Sequence, residues 1–377
     1  MQLNTQPHDI CIVGLKCRDL LLDVEKPKYL GGIEKMLVSL ARGLSEHGMN
    51  VAFVTYGADT EPFTHQGITI YPVFNEQDGI RGIRNIHPRL TRLYSVLKKI
   101  NAPVYTQMGA GIETAMTCLV ARLFLRKRMV YCVASDSDCM TSTPLVYSAI
   151  EANLYKWGLK FANERISQTL SQKAMLQDHF ALASVTIPMP HIQLAPAALT
   201  KATDEPQEIE ILWVGRPVPG KRLEMLIDVA DLHPSIQFHV VGADNNDSTY
   251  SRSVSERARQ AENIKVHGKA SESKLQSLYQ SCSILACTSE LEGFPATFME
   301  AWSYGKPVIT TFDPDGIVAQ YNLGRVCDTA ESFSRELSGL IAEPDEYKSL
   351  SAECQQYYLK NFTTDAVIPS FIAAFEG

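Results

Sequence analysis

Short β-branched runs, each closed by glycine or a polar turn and followed by a helical pattern, recur along this chain. That alternation limits the available folds more than any other feature. DICIVGL ends in Gly14 and leads through a polar connection to YLGG. GIEKMLVSLARGLSEHG then sets Ile33, Met36, Leu37, Leu40, Ala41 and Leu44 at helical spacing, with Gly48 as the stop. NVAFVTYG, PVYTQMGAG, MVYCVAS and ASVTIP read as further strands separated by helical stretches. This βαβ rhythm is that of a doubly wound parallel sheet.

At 188–208 the texture changes to PMPHIQLAPAALTKATDEPQE, and the rhythm then restarts: EILWVGR, LEMLIDVADL, IQFHVVGA, IKVHGK, ESKLQSLYQS, SILACTS and PVITT. The expected organisation is an N-terminal Rossmann-like domain over 1–190, a linker over 191–208 and a second such domain over 209–360. A C-terminal helix over 361–377 is placed to pack back on the first domain. Two such α/β domains are expected to face each other across a cleft and bind ligands there, at the carboxyl edges of their sheets.

A hydrophobic fraction of 45% with 20% charged residues describes a folded chain rather than a disordered one. No apolar run approaches the ~18 residues of a membrane span, and MQLNTQPHDI lacks the blocks of a signal peptide, so a cytoplasmic location is expected. The nine cysteines are odd in number and form no CxxC pair; buried reduced thiols are the expectation, with no structural metal. A net charge of -7 argues against nucleic acid as partner. Residues 1–195 hold 20 Lys and Arg against 16 Asp and Glu, a net of +4 that contrasts with the acidic second half. Much of it lies in RGIRNIHPRLTRLYSVLKKI and ARLFLRKRMV, mixed with apolar side chains. Such mixtures suit a peripheral contact with an anionic membrane on its inner face; the alternative is a solvated helix face that lays Arg and Lys stems over the core.

The stretch SELEGFPATFMEAWSYGKPVITT follows a strand. Its pattern predicts a loop through Glu292, Gly293 and Phe294, Pro295 at the first helical position, and a helix from Ala296 that Gly305 ends. The first-turn amides make an anion site. Glu300, inside the helix, and Glu292, before it, are carboxylates suited to the hydroxyls of a polyol, as the ribose-binding acid of dinucleotide folds is. Phosphate at the helix start with polyol on either side describes a nucleotide-sugar. Two solvated glutamates at chance spacing are the competing reading.

In WVGRPVPGKRLEMLIDVA a strand ends at Gly215, with Arg216 next and Lys221 where a helix begins. With no metal site in view, these cations are natural neutralisers of a diphosphate; the alternative is surface charge after a strand. The segment lacks a Walker ending, and the chain contains no GxGxxG, which weighs against a nicotinamide dehydrogenase. In YLGGIEK, Gly31 and Gly32 open a helix and allow close approach of a phosphate, or simply make a tight turn.

Taken in order, EGFPATFMEAWSYGKPVIT resembles the E-x7-E motif of the retaining glycosyltransferases of family 4. VGRPVPGKR is similar to that family's Gly-Arg…Lys motif, and GGIEK to its N-terminal glycine loop. The resemblance spans most of the chain and is strongest from 209 to 311. It implies the GT-B fold and a donor linked to UDP or GDP, with no cofactor and no metal. By the same resemblance Arg216 and Lys221 hold the donor diphosphate, and Gly32 approaches it from the other domain. Glu300 takes the ribose, and Glu292 with the amides of Gly293 and Phe294 takes the sugar. Gly268 and Lys269 lie near the base. Pro295 removes one amide from this set. Many relatives carry a histidine after the strand corresponding to MVYCVAS; here Ser135, Asp136, Ser137 and Asp138 follow. Asp136 or Asp138 is placed to steady charge at the anomeric carbon or bind an acceptor hydroxyl, or the run is a polar turn capping a helix.

The expected activity is transfer of a hexosyl unit to the hydroxyl of a saccharide or lipid-linked saccharide, in cell-surface polysaccharide or glycolipid synthesis. A nucleotide-sugar epimerase of GT-B fold and a non-catalytic nucleotide-sugar-binding subunit are the rival readings.

Overall fold

In the computed structural model, residues 7–57, 61–80, 84–142, 148–191, 209–242 and 248–377 are described. The chain divides into two compact units: residues 1–192 with 363–377, and residues 193–362. The linker expected over 191–208 lies, from residue 192 onward, outside the described residues.

The first unit is built on an eight-stranded sheet of order β3-β4-β2-β1-β5-β6-β7-β8. Its strands are β1 (Ile10–Val13), β2 (Val51–Thr55), β3 (Phe63–His65), β4 (Ile68–Pro72), β5 (Val104–Met108), β6 (Arg128–Cys132), β7 (Glu164–Ser167) and β8 (Val185–Thr186). All neighbours pair in parallel except β3 with β4. β1, β2 and β5 are buried along their whole length, as continuous apolar runs covered on both faces require. The expected helix forms over Gly32–Glu46, and Met36 to Leu44 are all buried. Its burial exceeds a single face because the helix Thr364–Glu376 packs on it, with Ile368 so close to Gly43 that a Cβ there would lie 2.7 Å from Ile368 Cδ1. The C-terminal helix expected over 361–377 forms over Thr364–Glu376, after a separate helix, Pro344–Asn361, ends at Phe362.

The second unit holds a six-stranded parallel sheet, β11-β10-β9-β12-β13-β14. The strands are β9 (Glu210–Val214), β10 (Gln237–Val241), β11 (Ile264–Gly268), β12 (Ile284–Cys287), β13 (Val308–Thr310) and β14 (Gly324–Val326). Phe238, Val240, Leu226, Ile309 and Phe333 are among its fully buried core. All nine cysteines are free and buried. Among the described residues no helix is long and apolar enough to cross a membrane.

Candidate functional site

Three neighbouring strands of the second sheet finish on glycine, and their backbones close on one another there. The Gly215 N–H, after β9, donates to Val241 O at 3.1 Å, and the Gly242 N–H, after β10, donates to Gly268 O at 2.7 Å. Gly242 has φ +98°, and a Cβ on it would stand 2.2 Å from Gly215 O, so the position admits only glycine. Gly268, with φ +65°, ends β11, and Lys269 beyond it is exposed. Arg216 leaves the carboxyl end of β9 exposed and without an ion pair among the described residues. A tight 3-10 turn over Pro219–Lys221 and a left-handed Arg222 (φ +46°) then redirect the chain into the helix Leu223–Leu232.

That turn is tied to the loop after β12. Thr288 Oγ1 donates to Lys221 O at 2.7 Å and accepts from Trp213 Nε1 at 3.1 Å, while Arg222 Nε donates to Thr288 O at 2.7 Å. The Glu290 N–H donates to Gly220 O at 2.9 Å. Held so, Lys221 Nζ forms an ion pair with Glu292 Oε1, both side chains being more than two-thirds shielded. The Phe294 side chain turns into the core against Trp302 and Phe362. It anchors the loop to the core.

Pro295 is the N-cap (φ −64°, ψ 117°) rather than the first helical residue as expected, and the helix spans Ala296–Ser303. The sequence places proline correctly at a helix start; the one-residue offset reflects its extended ψ, which is the N-cap conformation. Its missing N–H makes Ala296 the first amide of the helix. Glu300 lies one turn in, 6% exposed, and its Oε2 accepts from Tyr279 Oη at 2.6 Å. Burial, and then the adjacent carboxylate, push the Tyr279 phenol well above its ordinary range, so it stays a donor. Tyr279 stacks on Tyr304 with rings nearly parallel and centroids 6.0 Å apart.

In the first unit Gly31 is the extended N-cap of the helix Gly32–Glu46, and the Glu34 carboxylate folds back over it. Asp136 and Asp138 sit in a 3-10 turn, Asp136–Cys139, and are 8% and 2% exposed. Asp136 Oδ1 accepts from Gln172 Nε2 at 3.1 Å. Asp138 Oδ2 accepts from the Ala134 N–H at 2.9 Å and from Tyr131 Oη at 3.1 Å. Burial nevertheless pushes the Asp138 carboxyl up to about 6, against these donors. Both aspartates hold their own surroundings, an arrangement that fits the polar-turn alternative.

Two features of this unit escaped the sequence reading. A cavity of about 300 Å³ opens beyond β1 and β2, lined in part by Lys16, Arg18, Lys28, Tyr29 and Glu76. Lys16 and Lys28 lie 5.4 and 4.9 Å from the Tyr29 ring centroid, a cation–aromatic arrangement that no local motif announces. The second is a meeting of the two basic segments: Tyr94 packs edge-on against Phe124 at 5.6 Å, and Arg122 Nε donates to Phe161 O at 3.1 Å. Leu123, Phe124 and Phe161 are exposed around this contact. Residues 81–83 of the first segment lie outside the described residues.

Residues 198–357 match the family model Glycosyl transferases group 1. No curated protein sequence matches the chain. Solved structures share its fold at low identity. Sucrose-phosphate synthase from Thermosynechococcus elongatus superposes with a TM-score of 0.77 at 15% identity, covering 98% of each chain. HepE from Anabaena, in complex with UDP and glucose, gives 0.74 at 14% identity over 98% of this chain and 100% of that one. WaaG, a glycosyltransferase involved in lipopolysaccharide biosynthesis, gives 0.66 at 16% identity over 97% and 98%. The chain has the GT-B fold, two parallel-sheet α/β domains, and its residues 198–357 match the model of Glycosyl transferases group 1.

Proposed function

We propose that the protein is a retaining hexosyltransferase, similar to family 4, that moves a sugar from a nucleoside diphosphate to an acceptor hydroxyl in cell-surface polysaccharide or glycolipid synthesis. The observation that carries this reading is the pairing of Lys221 with Glu292 ahead of the helix that buries Glu300. A cation, a carboxylate and free helix amides within one loop suit a diphosphate joined to a polyol.

In this reading Arg216 and Lys221 neutralise the diphosphate, with the main chain at Gly215 and the Ala296 amide. Glu300, oriented by Tyr279, takes the ribose; Glu292 and the amides of Gly293 and Phe294 take the sugar. Gly268 and Lys269 flank the base. Gly31 and Gly32 are assigned to the diphosphate by the family resemblance alone. The leaving diphosphate deprotonates the incoming hydroxyl on the same face, and the protein supplies charge stabilisation and positioning. Asp136 and Asp138, buried in their turn, act as positioning residues. The cavity beside Lys16, Arg18 and Tyr29, where Lys28 is already paired with Glu76, is assigned to a saccharide acceptor, and the Phe124–Phe161 patch with its basic neighbours supports peripheral contact with an anionic membrane. The complex of HepE with UDP and glucose and the role of WaaG in lipopolysaccharide biosynthesis agree in kind with this donor and this product class.

A thermal-shift panel of UDP, GDP, ADP and CDP, with and without magnesium, tests the donor site. A nucleotide at 100 times its dissociation constant stabilises the fold by about 2.7 kcal/mol. One nucleotide is expected to shift the midpoint without metal, and Lys221→Ala or Glu292→Ala to lower turnover by ~10²-fold or more. No shift with any nucleotide, or near-normal rates in both variants, overturns the reading.

A further inference from the structure

Three neighbouring strands of the second sheet, and the turn that leads into a fourth, bring one metal-ligating side chain each to the same place. His267 comes from β11, His239 from β10 and Glu210 from the first position of β9, while Cys282 directly precedes the Ser283 step into β12. The register sets Glu210 beside Gln237 and Leu212 beside His239, so Glu210 and His239 share one face of the pleat. A Glu210 carboxylate oxygen, a His239 ring nitrogen and Cys282 Sγ all lie within 4.8 Å of one another, the one such group among the described residues.

We propose that Glu210, His239 and Cys282 form a binding site for a zinc-class divalent cation, with His267 orienting His239. The His239 side chain is 8% exposed, and its Nε2 stands 3.3 Å from Glu210 Oε2 yet has no hydrogen-bond partner. An edge of that length is the one a tetrahedral ion makes between ligands at about 2.0–2.1 Å. The other nitrogen, Nδ1, is 2.8 Å from His267 Nε2. With Nδ1–H donating to His267, the Nε2 lone pair points at the ion, and the second imidazole fixes the tautomer as outer partners of metal-bound histidines do. Mixed N, O and S donors favour zinc over magnesium or calcium. Two negative ligands, the Glu210 carboxylate and the Cys282 thiolate, balance the ion's double charge, and the thiol proton leaves to buffer as the metal–sulfur bond forms. A fourth position, open to water, is reached past Glu210, whose side chain is 30% exposed.

The site is not part of the donor machinery. Glu210 begins β9 and Gly215 follows its end, about 16 Å apart along a strand. The ligands come from two strands and the turn before a third, so no short motif announces them; the expectation of no structural metal rested on local spacing alone.

The test uses the full chain, stripped with chelator and titrated with zinc against a chromogenic competitor, and in parallel with cobalt. Wild type is expected to bind one zinc per chain and to show a thiolate-to-cobalt charge-transfer band. Cys282→Ser is expected to lose that band and at least about 10²-fold in zinc affinity. His267→Gln is expected to keep the band and lose about 10–100-fold, the usual cost of an outer partner. Nucleotide-induced thermal shifts are expected to be the same with and without zinc. Absence of stoichiometric zinc binding in wild type overturns the proposal, as does a Cys282→Ser protein with unchanged affinity and band. Should Cys282→Ser fail to fold, Glu210→Gln decides: unchanged zinc affinity in that half-exposed variant overturns the site.

Discussion

Tyr279→Phe removes a single oxygen from a buried ring and leaves the stacking on Tyr304 in place. The oxygen lost is the one that donates to Glu300 at 2.6 Å, and Glu300 itself is 6% exposed, so water cannot readily replace the bond. A hydrogen bond to a buried charged group is worth about 1.5–3 kcal/mol. For a unit of this size each kcal/mol moves the unfolding midpoint by about 2–4 °C, which gives an expected fall of roughly 3–12 °C. The same variant takes one hydrogen bond from the carboxylate, so on the proposed reading the affinity for the preferred nucleotide falls together with stability. In a Glu300→Gln background the tyrosine hydroxyl is expected to be worth only about 1 kcal/mol, the value for a neutral pair. Urea unfolding of the four proteins of this cycle, with nucleotide titration of each, measures both quantities. A Tyr279→Phe protein within about 0.5 kcal/mol of wild type, the scatter of neutral substitutions, and with unchanged nucleotide affinity refutes the coupling.

Asp138 provides a pH signature. The folded carboxyl keeps its proton up to about 6, whereas an unfolded aspartate releases it near 4. Between those values the folded state binds more protons, so stability falls as pH rises from about 4 to about 6, by about 3 kcal/mol. Asp138→Asn is expected to lack that slope; parallel stability curves for the two proteins across pH 4–7 refute it. Gly242→Ala is expected to destabilise the second unit by more than about 2 kcal/mol, because a positive φ and a Cβ 2.2 Å from Gly215 O must both be accommodated. It also displaces the turn that carries Arg216, so nucleotide binding falls with it. A calorimetric midpoint and nucleotide affinity equal to wild type refute that account.

Most strands of both sheets were legible because they are buried on two faces and read as largely apolar runs; β1, β2, β5, β9, β10, β12 and β13 fall where ICIV, VAFVT, VYTQM and their counterparts stand, while β11, only partly buried, was legible from its place in the rhythm. The β3–β4 hairpin was passed over: its ladder is only three pairs long, and its Gln66–Gly67 turn, with both φ positive, is the one short-range signal it offers. β7 and β14 are brief and carry charged residues, Glu164 with Arg165 and Arg325, which mask an apolar run. At the candidate site the glutamates, Arg216 and Lys221 were legible from helix-start chemistry and strand ends. Their partners were not. Tyr279 meets Glu300 across 21 positions and Lys221 meets Glu292 across 71, distances at which only the strand order decides who are neighbours. The SDSD run after β6 was visible as polar, but its burial against Tyr131, Tyr155 and Gln172 is a tertiary fact with no local pattern.

The helix Thr364–Glu376 belongs to the unit that the chain begins with, whereas Pro344–Asn361, just before it, belongs to the other. During synthesis the first unit is therefore made almost complete and then waits. The groove over Gly43 that receives Ile368 stays open while residues 193–362 emerge and can close around their own core. Vectorial folding, which ordinarily finishes domains in the order they are made, here finishes the second before the first. The waiting face is apolar, and its closing contact spans more than three hundred residues of sequence, a loop closure that slows folding. A ribosome stalled before residue 364 would display that face, and a nascent-chain chaperone that reads apolar helix surfaces would find its footprint there.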